Sequence, residues 1–249
     1  MIERVVDGLY AFCGFLGTTS EGAHTIDRGG VCAAVVPAAP ERAVANSVAY
    51  MDGDALERAY DELAAVYAEI GANWTVWVWP GHEATERFLG SRGHVLDAHP
   101  MAMIHDLDAV ERPAADAPAD WTADGDFLEI GPLNDRAYGF DTDSFTRAMT
   151  RRPGNSTHIY VAHDDGEAVG CVLVSDHDGN ADVESVAVVP EARGRGISGY
   201  LLQHALFDAA ERGNATSTLM ATALGYPVYE RLGFRPLGRF GMWERAARS

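Results

Sequence analysis

Apolar residues at positions 197, 201, 202, 205, 206 and 209 recur at helical spacing, and Gly213 stands where such a helix would stop. The run Asp182 to Val188, rich in branched apolar side chains, predicts a strand ahead of that helix, and Pro190 marks a turn between them. Upstream, Ile159 to Ala162 and Ala168 to Val174 predict a hairpin closed around Asp164-Asp165-Gly166. Glu129 to Phe140 and Ser144 to Met149 read as earlier helices. Thr216 to Ala221 reads as a further strand, and Arg239 to Arg245 as the last one.

The first half of the chain repeats this order. Val31 to Pro37 and Asn46 to Met51 are apolar strand candidates, followed by a helix with Leu56, Tyr60, Leu63, Ala64 and Tyr67 on one face. A strand at Trp74 to Trp79, a short helix near Glu83 to Gly90 and paired strands within His94 to Leu107 complete it. Gly71 corresponds to Gly213 and Gly93 to Gly233, about 140 residues on. Between the halves, Asp108 to Asp120 is poor in bulky apolar residues and broken by Pro113 and Pro118, as a linker would be. The chain therefore reads as two α/β units with mixed sheets, residues 1–110 and 119–249.

The chemistry concentrates in Arg193-Gly194-Arg195-Gly196-Ile197-Ser198-Gly199. Its glycines lack the β-carbons that would keep a ligand from the backbone. The free N–H groups of a helix's first turn attract an anion such as a pyrophosphate, and Arg193 and Arg195 add charge beside them. Gly194-x-Gly196-x-x-Gly199 also satisfies the bare glycine pattern of a dinucleotide site, but no regular βαβ array follows it. The sequence contains no lysine, which excludes a P-loop and lysine-nucleophile chemistry.

Arg193-x-x-Gly196-x-Ser198 resembles the acyl-CoA loop of the GNAT superfamily of N-acetyltransferases, Arg/Gln-x-x-Gly-x-Gly/Ala, with serine at the last small position. Tyr229-Glu-Arg-Leu-Gly233-Phe234 resembles that superfamily's Tyr-x-x-x-Gly-Phe segment; Tyr226 is out of register. The likeness spans residues 119 to 249. It implies two tandem GNAT-like units, each a twisted mixed β-sheet flanked by helices. It also implies acetyl-CoA as acyl donor and direct attack by the amine of a small molecule or peptide. A strand that splays from its neighbour would leave the Val186, Ala187 and Val188 backbone to pantetheine, and Arg193 to Gly199 would hold the pyrophosphate. Tyr229 would protonate the departing thiolate, with phenol ionisation near pH 10 as the upper limit of its use; otherwise it is a packed core tyrosine. Residues alternate faces along a strand, so Asp182 and Glu184 share a face. Either would then take a proton from the acceptor, or both are solvated carboxylates. A non-catalytic acyl-CoA-binding or interaction protein retaining the fold is the alternative.

The first unit lacks these residues. Met51-Asp52-Gly53-Asp54 stands in place of the loop, and Leu89 in place of the tyrosine. This resembles tandem GNAT proteins with a degenerate N-terminal copy, which would cover apolar surface or form a substrate wall. Trp74, Trp77 and Trp79 would lie in or near a core or interface.

Composition sets the outer bounds. With 249 residues and 47% hydrophobic content the chain can bury a large core. A net charge of −18 opposes nucleic-acid binding. The acidity would favour cationic amines by steering. No apolar run reaches membrane-spanning length. Three scattered cysteines and nine histidines without ligand spacing suggest a reducing, cytoplasmic setting and no metal. The partners expected are acetyl-CoA and an amine acceptor, without nucleic acid or membrane, with a homodimer left open.

Overall fold

The computed structural model describes residues 1–113, 116–154 and 156–247; residues 114 and 115, inside the predicted linker, fall outside that set. The first half contains α1 (Ile2–Leu16), β1 (His24–Asp27), β2 (Val31–Val35), a 3₁₀ turn at Ala43–Asn46 and β3 (Ser47–Tyr50). It continues through α2 (Gly53–Glu69), β4 (Trp74–Val78), α3 (Glu83–Ser91), β5 (Val95–Ala98) and β6 (Met101–Asp106). The second half opens with β7 (Asp120–Ala123), α4 (Ile130–Tyr138), α5 (Ser144–Ala148), β8 (Thr157–Asp164), β9 (Glu167–His177) and β10 (Asn180–Val188). It closes with α6 (Ile197–Glu211), β11 (Thr216–Ala221), α7 (Tyr226–Arg231), β12 (Arg235–Arg239) and β13 (Gly241–Arg245).

The strands form two mixed sheets. One has the order β1-β2-β3-β4-β13-β5, the other β12-β6-β11-β10-β9-β8-β7. Each half has therefore given one strand to the other. β6 pairs antiparallel with β11 and β12, while β13 lies between β4 and β5. The expectation that His94 to Leu107 forms paired strands is corrected: β5 and β6 belong to different sheets. Only His99 and Pro100 separate them, and a two-residue hairpin favours residues that accept positive φ, which this pair does not supply. The chain instead crosses from one sheet to the other. The exchange is tied where Phe240 N–H donates to the Pro100 carbonyl at 3.0 Å.

α1, which the sequence reading missed, positions the site. Val5, Val6, Leu9, Cys13, Phe15 and Leu16 are buried, in one core that also contains Trp77 of the first sheet and Leu173, Ala187 and Leu219 of the second. A separate core lies between the first sheet and α2, where Leu56, Tyr60, Leu63 and Tyr67 pack on Val31, Val48 and Val76. Asp52 caps α2 by accepting from the Asp54 amide at 3.2 Å, as a helix N-cap does.

Candidate active site

β10 and β11 run parallel and pair only from Asn180↔Thr216 to Val183↔Leu219. Beyond that, β10 continues against β9 alone, and β11 against β6. A wedge-shaped gap opens between Val186–Val188 and Met220–Thr222. Backbone groups alternate between the two edges of a strand. Val189 N–H bonds to Val169 O on the β9 side, whereas the Val186 and Val188 carbonyls receive side chains on the other: Tyr138 Oη at 3.4 Å and Arg193 Nε at 3.2 Å. Val186 and Val188 thus present their backbone to the gap, and Ala187 turns its own to β9.

The gap leads into the turn before α6. Gly194 and Gly196 adopt φ of +77° and +84°, a left-handed backbone that a side chain would strain, and a β-carbon at either would meet nothing within 4 Å. The first amide of this stretch with a protein acceptor is Tyr200 N–H, to Gly196 O at 3.0 Å. Among the described residues, the amides from Gly194 to Gly199 have none. Both arginines are already engaged. Arg193 donates to the Val188 and Ala137 carbonyls; Arg195 pairs with Asp164 and donates to Pro118 O at 3.2 Å. The free anion-binding groups are therefore the amides, with the positive end of the α6 dipole behind them. Arg193, Gly194, Gly196, Ile197 and Ser198 border the cavity described next; Arg195 and Gly199 do not.

One cavity of about 780 Å³ joins the turn, the gap and the space between the two sheets. Tyr229 borders it from α7. Its ring lies edge-on to Phe234 at 6.0 Å, and Gly225 leaves the room it needs: a β-carbon there would fall 2.7 Å from the ring. Burial, then the neighbouring Tyr138, raises the Tyr229 phenol well above its usual range. Ionisation near pH 10, expected from the sequence, is thereby displaced to higher pH. Tyr226 instead donates to Glu230 at 3.4 Å in an exposed position, and does not border the cavity.

Asp182 and Glu184 both border the cavity, but not through regular alternation. The pairing of β10 with β9 steps from Val183↔Val174 to Ser185↔Leu173, so Glu184 is the extra residue of a β-bulge. Asp182 is buried, bonded to His177 Nε2 and to Thr218 Oγ1. Gly8 of α1 packs directly on it; a β-carbon there would overlap the carboxyl. Neither carboxylate is a solvated strand end. Burial raises the Asp182 carboxyl, and the His177 bond opposes that rise. Burial alone would lower the His177 imidazole, but the bond to Asp182 and the charges of Asp182, Asp178 and Asp7 outweigh it. Glu184 Oε1 is buried without a hydrogen-bond partner, and enclosure together with the Asp182 charge pushes its carboxyl well above the ordinary value. A carboxyl shifted upward in this way suits proton abstraction near neutral pH.

Of the other wall residues only Trp77, expected in or near a core or interface, was singled out by the sequence. Tyr138 ends α4 beside Tyr229. Phe12 and Phe15 come from α1, and Arg42, Trp77, Asp97, Met242 and Glu244 from around the first sheet. Their place depends on α1 and on the exchanged strand β13, neither visible in local patterns. Among the described residues no cluster of metal-ligating side chains is present, and no helix is long and apolar enough to cross a membrane.

A family model of the acetyltransferase (GNAT) domain matches residues 155–236. No curated protein matches the sequence. Among solved structures, a GCN5-related N-acetyltransferase from Kribbella flavida superposes with a TM-score of 0.67 at 16% identity, covering 97% of this chain and 94% of that one. One from Sphaerobacter thermophilus gives 0.60 at 21% identity, covering 88% and 78%. A tandem GNAT protein from the clavulanic acid biosynthesis pathway gives 0.57 at 17% identity, covering 99% and 96%. The chain thus has the GNAT fold across nearly its whole length, with the match to the acetyltransferase domain model confined to its second half.

Proposed function

We propose that this chain is an acetyl-CoA-dependent N-acetyltransferase that acylates the amine of a small molecule or peptide by direct attack, through its second unit alone. The observation that carries the reading is the wedge between β10 and β11, open onto the unbonded amides ahead of α6 within one continuous cavity. Those amides suit a pyrophosphate, and the Val186 and Val188 backbone suits an extended pantetheine chain. Acetyl-CoA, when bound, supplies an activated acyl group on a thiol that leaves readily.

The protein's part is positioning and proton handling. The bulge aims Glu184 into the cavity, where it takes the proton of an entering ammonium and leaves a neutral, nucleophilic amine. Asp182, fixed by His177 and Thr218, stabilises the protonated form of Glu184 by its charge. Tyr229 holds its proton across the working pH range and offers it to the thiolate. Walls drawn from both units exclude water, which strengthens each of these interactions.

The reading is tested by titrating acetyl-CoA into the protein calorimetrically and by following thiol release with a panel of amines. One site per chain and amine-dependent release are expected. Absence of acetyl-CoA binding would overturn it.

A further inference from the structure

The first sheet, with its exchanged strand, brings to the cavity wall two acids that no other function absorbs. β13 places Glu244 opposite Thr75 of β4 and Val95 of β5. On β5 the pairing steps from Ala98↔Met242 to Leu96↔Trp243, so Asp97 is the extra residue of a bulge and joins Glu244 on the cavity wall. The other charges nearby are spoken for. Glu41 is bound by Arg147, which also holds Asp143 at 2.8 Å. Arg42 lies flat on the Phe140 ring, 3.3 Å from its centre, and gives two hydrogen bonds to Ser144 Oγ at 3.1 and 3.0 Å. The guanidinium therefore clamps the α4–α5 connection rather than neutralising Glu244. Consistently, the Glu244 carboxyl stands above its ordinary value: burial and the Asp97 charge outweigh the opposing pull of Arg42. Among the described residues, neither Glu244 nor Asp97 is joined to a cation, and Glu184, whose Oε1 is buried and unpartnered, borders the same cavity from the second sheet.

The same cavity is also lined by the apolar and aromatic side chains of Phe12, Phe15, Trp77, Phe145 and Met242. An acid on the second sheet, an acidic pair on the first and apolar side chains in one shared cavity describe the complement of a molecule with two separated cationic groups. We infer that the acceptor is a dicationic amine, with one nitrogen at Glu184 and a second cationic centre held by Glu244 and Asp97 of the first sheet. The inference rests on the acetyltransferase reading for its reaction, but the cation site itself is a matter of binding.

The test compares 1,5-diaminopentane, pentylamine and 5-aminopentanoate, which share a chain length and differ at the far end. With CoA present, calorimetry should show the diamine binding most tightly. Acetyl transfer from acetyl-CoA should give it the highest kcat/KM, mainly through a lower KM. Glu244→Gln and Asp97→Asn should each reduce the diamine-to-monoamine preference about tenfold, the size of a lost charge-assisted hydrogen bond. Asp97 sits on an exposed edge strand, so its substitution guards against misfolding of the Glu244 variant. Equal binding of diamine and monoamine would overturn the inference, as would a preference untouched by both variants. A preference for 5-aminopentanoate would overturn it in favour of carboxylate recognition by Arg42. Selective diamine binding without acetyl transfer to any of the three would instead overturn the enzymatic reading and leave the cation site standing.

Discussion

Two places in this molecule have the same backbone plan. In the second half of the chain β10 and β11 part after Val183↔Leu219, and in the first half β3 and β4 part after Val48↔Val76. Each wedge is followed by a helix that starts beside it. The second is open. The first is filled by aromatic rings: Trp79 donates from Nε1 to the carbonyl of Tyr50, the last residue of β3, at 3.1 Å. The Tyr50 and Trp79 rings stack at 6.0 Å, His82 stacks on Trp79 at 4.9 Å, and Tyr50 Oη meets His82 Nδ1 at 3.0 Å. The helix after the first wedge is capped by Asp52, so its leading amide is occupied and a carboxylate stands at its positive end. The difference teaches that a splayed strand pair is only a frame. Small residues and unbonded amides leave one wedge open, while an indole and an acid cap fill the other.

The strongest way to erase the open site is Gly196→Glu, which puts a charged side chain and an unfavourable φ of +84° at the turn. We expect acetyl-CoA affinity to fall by more than about a hundredfold, with the strain costing only about 1–2 kcal/mol of stability. Calorimetric titration and thermal unfolding check the two parts separately.

Tyr229→Phe keeps the ring against Phe234 and removes only the hydroxyl. Turnover should fall about 10²-fold or more if thiolate departure limits the rate, with little change in acetyl-CoA affinity. Tyr226→Phe, off the cavity, should behave as the parent in the same assay. Because burial raises the Tyr229 phenol, the parent should show no loss of rate near pH 10 from this group.

Glu184→Gln should slow turnover about tenfold to a hundredfold and flatten the rise of rate with pH on the acid limb. It should also stabilise the fold at neutral pH. A carboxyl whose folded pKa is raised contributes stability below its unfolded value, and that contribution is lost as pH rises through the folded one. The advantage of the variant in thermal unfolding should therefore vanish as pH falls below about 4.

The smallest effect is expected from Asp52→Asn with Asp54→Asn. Removing both charges leaves Trp79 and Tyr50 in the wedge, so acetyl-CoA stoichiometry should stay at one per chain. A second site appearing in the titration would show that charge alone closed the first unit.

Much of the open wedge was legible because it is local. The helical spacing of Ile197, Leu201, Leu202, Ala205 and Leu206 and the glycine spacing ahead of it gave α6 and its turn, and Thr216 to Ala221 matched β11. Tyr229 was legible by its distance from Gly233. The carboxylates were found as residues, but their geometry was misread, since alternation cannot reveal the bulge at Glu184. α1 was legible in principle: Val5, Val6, Leu9, Cys13 and Leu16 follow helical spacing. It escaped because Met1 gives it no capping side chain and Gly8 and Gly14 interrupt the pattern. The strand exchange was not legible, because β6 and β13 have ordinary strand sequences whichever sheet receives them. With it went the outer wall of the cavity, including Glu244 and Asp97.

The exchange also sets an order in time. As the chain emerges from a ribosome, β4 and β5 are made early, yet the slot between them waits for Gly241–Arg245. Until then both strands expose unpaired edges, the kind of surface that recruits wrong partners. The second sheet has the opposite experience, since β6 is finished before any of its neighbours exists. The two sheets therefore cannot be completed one after the other, as beads on a string would; each waits for a strand near the far end of the second half, β12 in one and β13 in the other.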